Sequence, residues 1–242
     1  MARRPARKPA AKGAAADKSA SAALPPDAGD REKIVAAFLS LLAEKRFEQI
    51  GLAEIADTAG VSLAEFRDAF ASPLAILAAH IKDIDRAVLA ADFSDMAEEP
   101  PRERLFDVLM RRLEILMPHR EAIRSLIRSA SRNPPLAMAL NGLAVRSQQW
   151  MLTAARLGAA GPRGMLRAQG LSLLFGSVLQ TWVNDDDPGL ARTMAALDRA
   201  LSRGQRFAGL FEDLFGLPAR FCRLRPRRRR RSDDDSEETA AA

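Results

Sequence analysis

An all-α fold follows from three features of the 242-residue sequence. Apolar residues recur at intervals of three and four along most of the chain, the period of one helix face. No segment alternates apolar and polar residues as a half-buried strand does. Proline and glycine clusters, such as Glu98-Glu99-Pro100-Pro101 and Arg132-Asn133-Pro134-Pro135, break the periodic stretches into about nine helices.

Asp30 is placed to cap a first helix running to about Lys45, with Ile34, Ala37, Phe38, Leu41 and Leu42 as its apolar stripe. Gly51 to Phe70 then reads as two short helices meeting at a corner. The first carries Leu52, Ile55, Ala56 and Ala59 on one face. Gly60 ends it, because glycine enters left-handed backbone space at little cost. Val61 plugs the corner. Ser62 and Glu65, three apart, form a capping box that opens the second helix. Phe66 and Phe70 lie four apart on its inner face. A short helix, a glycine corner and a capped second helix make a helix-turn-helix. Ser72-Pro73, a cap and a first-turn proline, starts a longer helix to about residue 93 through Leu74, Leu77, Ile81, Ile84 and Val88.

Leu105, Phe106, Leu109, Leu113 and Leu116 mark the next helix, over about 101–117, and Pro118 ends it. His119 to Ser131 is a short helix. Another spans about 135–156, through Leu136, Leu140, Leu143 and Val145. Gly158, Gly161, Pro162 and Gly164 predict a loop. Met165 to Trp182 is strongly apolar, and Gly170, Gly176 and Ser177 on it leave room for another backbone. Asp185-Asp186-Asp187-Pro188-Gly189 is a turn, and a last helix runs over about 190–215, with Leu210 and Leu214 near its end.

The single cysteine, Cys222, leaves no internal disulfide or multi-cysteine metal site and fits a reducing cytoplasm. No apolar run approaches the roughly 18 residues that span a bilayer, so no stable membrane insertion is expected. The net charge of +6 is confined to the ends. Residues 1–29, rich in Ala, Pro, Lys and Arg, are expected to be a disordered basic tail. Residues 218–242, basic from Arg220 to Arg231 and acidic from Asp233 to Glu238, are expected to be a second. Residues 31–75 hold five basic and seven acidic side chains, a balance unfavourable to a surface that must meet phosphates.

Ile55-Ala56, Ala59-Gly60-Val61-Ser62, Phe70 and Ser72 together resemble the amino-terminal headpiece of the TetR/AcrR transcriptional regulators. Arg31, Ile34, Ala37, Phe38 and Leu41 fit that headpiece's first helix, and Phe47 the turn after it. The likeness covers roughly residues 28–88; beyond it only length and helical pattern agree. It implies a DNA-binding headpiece over 30–76 and an effector-binding and dimerisation bundle over 77–217. It departs from the family at Glu65-Phe66-Arg67, where Thr-Leu-Tyr is usual, and at Pro73, where a lysine usually opens the fourth helix.

By this resemblance Ser62 binds phosphate while Leu63, Ala64 and Arg67 face the groove of double-stranded operator DNA. Arg31, Lys45, Arg46 and Glu65 complete the candidate interface. The final two helices would pair in a homodimer through Leu166, Gly170, Leu173, Leu174, Ser177, Met194, Leu197 and Leu201; the alternative is that both are core helices. Met110, Leu113, Met117, Met138, Trp150, Met151, Phe175 and Trp182 are large, adaptable side chains suited to an effector cavity, and equally suited to ordinary core. Polar groups to fix a ligand are few (Arg146, Gln148, Gln149, Gln180, Thr181), which points to a small apolar effector.

No enzyme constellation is visible: no glycine-rich phosphate loop, no metal-ligand spacing, no Gly-x-Ser-x-Gly. No cofactor is implied. His80 and His119 lie in different helices, and a lone histidine is most often structural or exposed. Asp185 to Asp187 read as a solvated turn and helix start rather than a cation site. Two functions remain. One is a ligand-responsive repressor. The other is a lipid-binding protein of the ubiquinone-biosynthesis type, on the same scaffold but without DNA binding. Arg102 to Pro118, the Asn133-Pro134 break and Trp182 to Leu201 faintly resemble that protein. The acidic headpiece and Glu65 favour it; the intact Ala-Gly-Val-Ser corner opposes it.

Overall fold

The structure, a computed structural model, describes residues 29–93, 96 and 98–215, with side chains through Gly204. Apart from Gly29, the two predicted tails, and the side chains of Leu210 and Leu214, lie outside the described residues. Those residues form nine α-helices and no strand. They are α1 (Asp30–Glu44), α2 (Leu52–Ala59), α3 (Leu63–Ala69), α4 (Pro73–Leu89), α5 (Pro101–Leu116), α6 (Arg120–Ala130), α7 (Pro134–Ala154), α8 (Gly161–Trp182) and α9 (Ala191–Phe215).

The apolar stripes sort into two cores. Ile34, Phe38 and Leu42 of α1 meet Ile55 of α2, Phe66 of α3, and Ile76 and Leu77 of α4. This first core also takes in Ala122 of α6, with Leu126, Leu140 and Leu143 packed around it. That is why Leu39, off the predicted stripe, is buried as well. The second core joins Ile84 and Val88 of α4 to Leu109 and Leu113 of α5, Met151 of α7, Phe175 and Trp182 of α8 and Leu197 of α9. The predicted boundary at 76/77 therefore falls inside α4, a continuous strut whose amino-terminal half packs in one core and whose carboxy-terminal half packs in the other.

α6 fastens the first core to the bundle by hydrogen bonds as well as packing. Ser125 donates its hydroxyl to the Lys45 carbonyl at 2.6 Å, and Ser129 Oγ accepts the Phe47 N–H at 3.1 Å. At the other end of α6, Arg120 donates to the Trp182 carbonyl and Arg124 to the Val183 carbonyl. Two guanidiniums thus satisfy carbonyls left open at the end of α8, where the helix dipole favours positive charge.

Several boundaries differ from expectation. Gly29, not Asp30, is the N-cap of α1; Asp30 sits in the first turn and pairs with Lys33 at 2.9 Å. Gly161, Pro162 and Gly164 are not loop but the first turn of α8, where proline is at home because an early N–H has no partner anyway. Leu52 is exposed rather than part of the inner face of α2. Asp185 is not solvated: it is fully buried and accepts both the N–H and the hydroxyl of Thr193, at 2.8 and 2.6 Å, which caps the start of α9. Those bonds hold its carboxyl below the ordinary range.

One buried ion pair ties α4 to the bundle. Asp85 Oδ1 accepts from Arg112 Nη1 at 2.5 Å and from the Ser147 hydroxyl at 2.7 Å. Arg112 also lies 5.6 Å from the centre of the Phe175 ring. Burial pushes the guanidinium below its usual range, and Asp85 opposes that push. Replacing Asp85 with alanine leaves the Arg112 charge buried without its partner, and a loss of about 3–5 kcal/mol is expected from urea unfolding curves. Exchanging the exposed Arg111 for alanine is expected to shift the same curves by less than about 0.5 kcal/mol.

Candidate nucleic-acid interface

The corner between α2 and α3 has the geometry its residues predict. Gly60 adopts φ +69° and ψ +33°. The Gly60 N–H reaches the Asp57 carbonyl at 3.3 Å and the Val61 N–H reaches the Ala56 carbonyl at 3.1 Å, the paired bonds of a Schellman stop. Two residues later the capping box closes: Glu65 N–H donates to Ser62 Oγ at 3.2 Å, and Ser62 N–H donates to Glu65 Oε2 at 2.7 Å. Those bonds hold the Glu65 carboxyl below its ordinary range.

This cap fixes what α3 can offer. Phe66 and Phe70 are buried against the first core. Leu63, Ala64 and Arg67 lie on the opposite face, in solvent, with Leu63 59% exposed. Arg67 has no ion pair among the described residues. Ser62 Oγ accepts the Glu65 N–H, and its hydroxyl also bears on the Glu65 carboxylate, so this side chain is engaged within the cap. Glu65, expected among the DNA contacts, instead spends its carboxylate on its own helix. The outer cations are partly engaged: Arg31 pairs with Asp83 at 3.4 Å and lies over the Phe70 ring, and Lys45 is ion-paired with Glu54. Arg46 is exposed near the start of the α1–α2 link.

The fold separates the residues assigned to an effector cavity. Leu113, Met151, Phe175 and Trp182 are core, filled by each other, with Met110 and Met117 packed at its edge. Met138 and Trp150 point the other way, 77% and 56% exposed. The long span from 134 to 154 puts them on the outer side of α7, which helical spacing alone did not separate from the inner one. The residues assigned to a dimer surface also divide. Leu166, Gly170, Leu173 and Ser177 line the outer face of α8, with Met194 exposed on α9. Leu174 is half-buried, whereas Leu197 and Leu201 are buried within this protomer.

The sequence reading missed two polar pairings. The first is Asp85–Arg112; both charges sit on otherwise apolar core stripes, the signal that exposes a buried pair. The second is His80 against His119, ring centres 4.7 Å apart and planes at 90°. No one-dimensional spacing reveals it. Burial, and then His119, push His80 down to about 4, and burial lowers His119 as well. The unfolded chain binds these protons near pH 6.5, whereas the folded chain resists them until lower pH. Through His80, stability is therefore expected to fall as pH drops from 6.5 toward 4, by up to about 1.4 kcal/mol per unit, and His119 acts in the same direction. Urea midpoints between pH 7 and 5 are expected to show this slope, and His80→Leu to flatten it. Among the described residues, no cluster of three or more His, Cys, Asp or Glu could hold a metal ion.

No family model matches the chain, and no curated protein does. Solved structures do. A TetR transcriptional regulator from Nitrosomonas europaea superposes with a TM-score of 0.55 at 22% identity, over 72% of this chain and 96% of that one. A TetR transcriptional regulator from Rhodococcus sp. RHA1 gives 0.50 at 22% identity, over 72% and 94%. The likeness establishes the fold: this chain has the fold of the TetR regulators.

Proposed function

We propose that this TetR-fold chain is a transcriptional regulator that binds operator DNA, as a dimer, through the helix-turn-helix at 51–70. The carrying observation is the outward face of α3, where Leu63, Ala64 and Arg67 stand exposed on a helix fixed by the Ser62–Glu65 cap. A leucine and an alanine suit the thymine methyl group, and arginine suits a phosphate or a guanine edge. In this reading the outer face of α8 joins two copies, which places two headpieces on two half-sites. An effector held in the bundle shifts the headpieces and releases the operator, and repression is the regulatory sense. No catalytic role is assigned.

A gel shift on the gene's own upstream region, at low salt, tests the reading. Binding is expected, and Arg67→Ala is expected to weaken it about tenfold and to lower the salt slope by about one. Ser62→Ala is expected to cost about 1 kcal/mol of stability through the lost cap, read from thermal unfolding, and to weaken binding beyond that loss. No shift of any duplex at low salt would favour the lipid-binding reading instead.

A further inference from the structure

Between α4 and α7 the surface opens into a groove of about 380 Å³. Its walls are apolar: Ile81 and Leu89 on one side, Leu143 and Trp150 on the other. Its floor is the Asp85–Ser147 hydrogen bond, whose negative charge Arg112 neutralises from behind. Its rim is cationic. Lys82 and Arg86 stand one helical turn apart on α4, and Arg146 faces them from α7. Lys82 has no ion pair among the described residues, and Arg86 pairs loosely with Asp83 at 3.6 Å, a carboxylate already shared with Arg31. Arg146 rests its Nε–H on the Gly142 carbonyl at 3.3 Å and is otherwise exposed.

Three cations over apolar walls, with the nearby acids already partnered, complement one kind of occupant. We propose that this groove binds a single-chain amphiphile with an anionic head, taken up as a monomer from solution. The head meets Lys82, Arg86 and Arg146; the chain lies along Ile81, Leu89, Leu143 and Trp150. The proposal rests on the reading of the carboxy-terminal bundle as an effector domain, and it replaces the interior cavity by an outer groove and the apolar ligand by a charged one. Desolvated apolar walls supply affinity, and the rim supplies discrimination between charged and neutral heads. α4 begins one residue after Ser72, directly beyond α3, so an occupant between α4 and α7 bears on the helix that carries the headpiece.

The test uses the full chain without DNA, titrated with dodecanoate below its micelle concentration. Trp150 is exposed and Trp182 fully buried, so an emission blue shift reports on the groove. Saturable one-to-one binding with a blue shift is expected. Methyl dodecanoate is expected to bind about tenfold more weakly, as is dodecanoate to the double variant Lys82→Glu, Arg146→Glu. Both positions are exposed, so the variant is expected to keep the parent's circular dichroism. Absence of dodecanoate binding, equal affinity for acid and ester, or uptake seen only with phosphatidylglycerol vesicles would each overturn the proposal. A failed operator gel shift counts against the regulator reading alone and leaves this titration standing.

Discussion

The Asp85 carboxylate is the constraint on which the arrangement turns. It is a charge on the buried side of α4, held by Arg112 of α5 and Ser147 of α7. A pair of this kind adds little net stability over well-packed apolar residues, because two ions must leave water. What it supplies is register. Apolar side chains let a helix slide or turn by a fraction of a step, but a carboxylate with two short, directional bonds does not. α4 carries Ile76 and Leu77 into one core and Ile84 and Val88 into the other. Fixing its rotation therefore fixes how the helix-turn-helix is presented.

The acidic balance of the headpiece looks unfavourable in a count and less so in space. Asp30 sits against Lys33, Glu54 against Lys45, and Glu65 is absorbed by the cap of α3. Glu44, Asp57 and Asp68 stay exposed without an ion pair among the described residues, so the relief is partial, and the outward face of α3 keeps Arg67 as its cation. A count weighs all charges equally; a nucleic-acid surface depends on which of them face outward and lack partners.

The local chemistry of the fold was legible in the sequence. Gly60, the Ser62–Glu65 pair and Ser72-Pro73 act through neighbours three or four residues away, and each appears where expected. Non-local features were not legible. The contact of His80 with His119 depends on how two helices cross. Met138 and Trp150 match the large apolar side chains of a core helix and yet face solvent, because α7 is long enough to have an outer face. Leu197 and Leu201 belong to a face that packs inward. Periodicity finds a helix's apolar side but not what that side meets.

The engagement of α6 with α1 has a consequence for how the molecule comes apart. Ala122 belongs to the same core as Phe38 and Ile55, and Ser125 and Ser129 hold the backbone of the α1–α2 link. A fragment ending at residue 76 would lose that wall, lay bare the side of α1 that carries Leu39, and sever α4 after its first turn. The headpiece therefore completes its core with side chains of α6 rather than closing on its own helices alone.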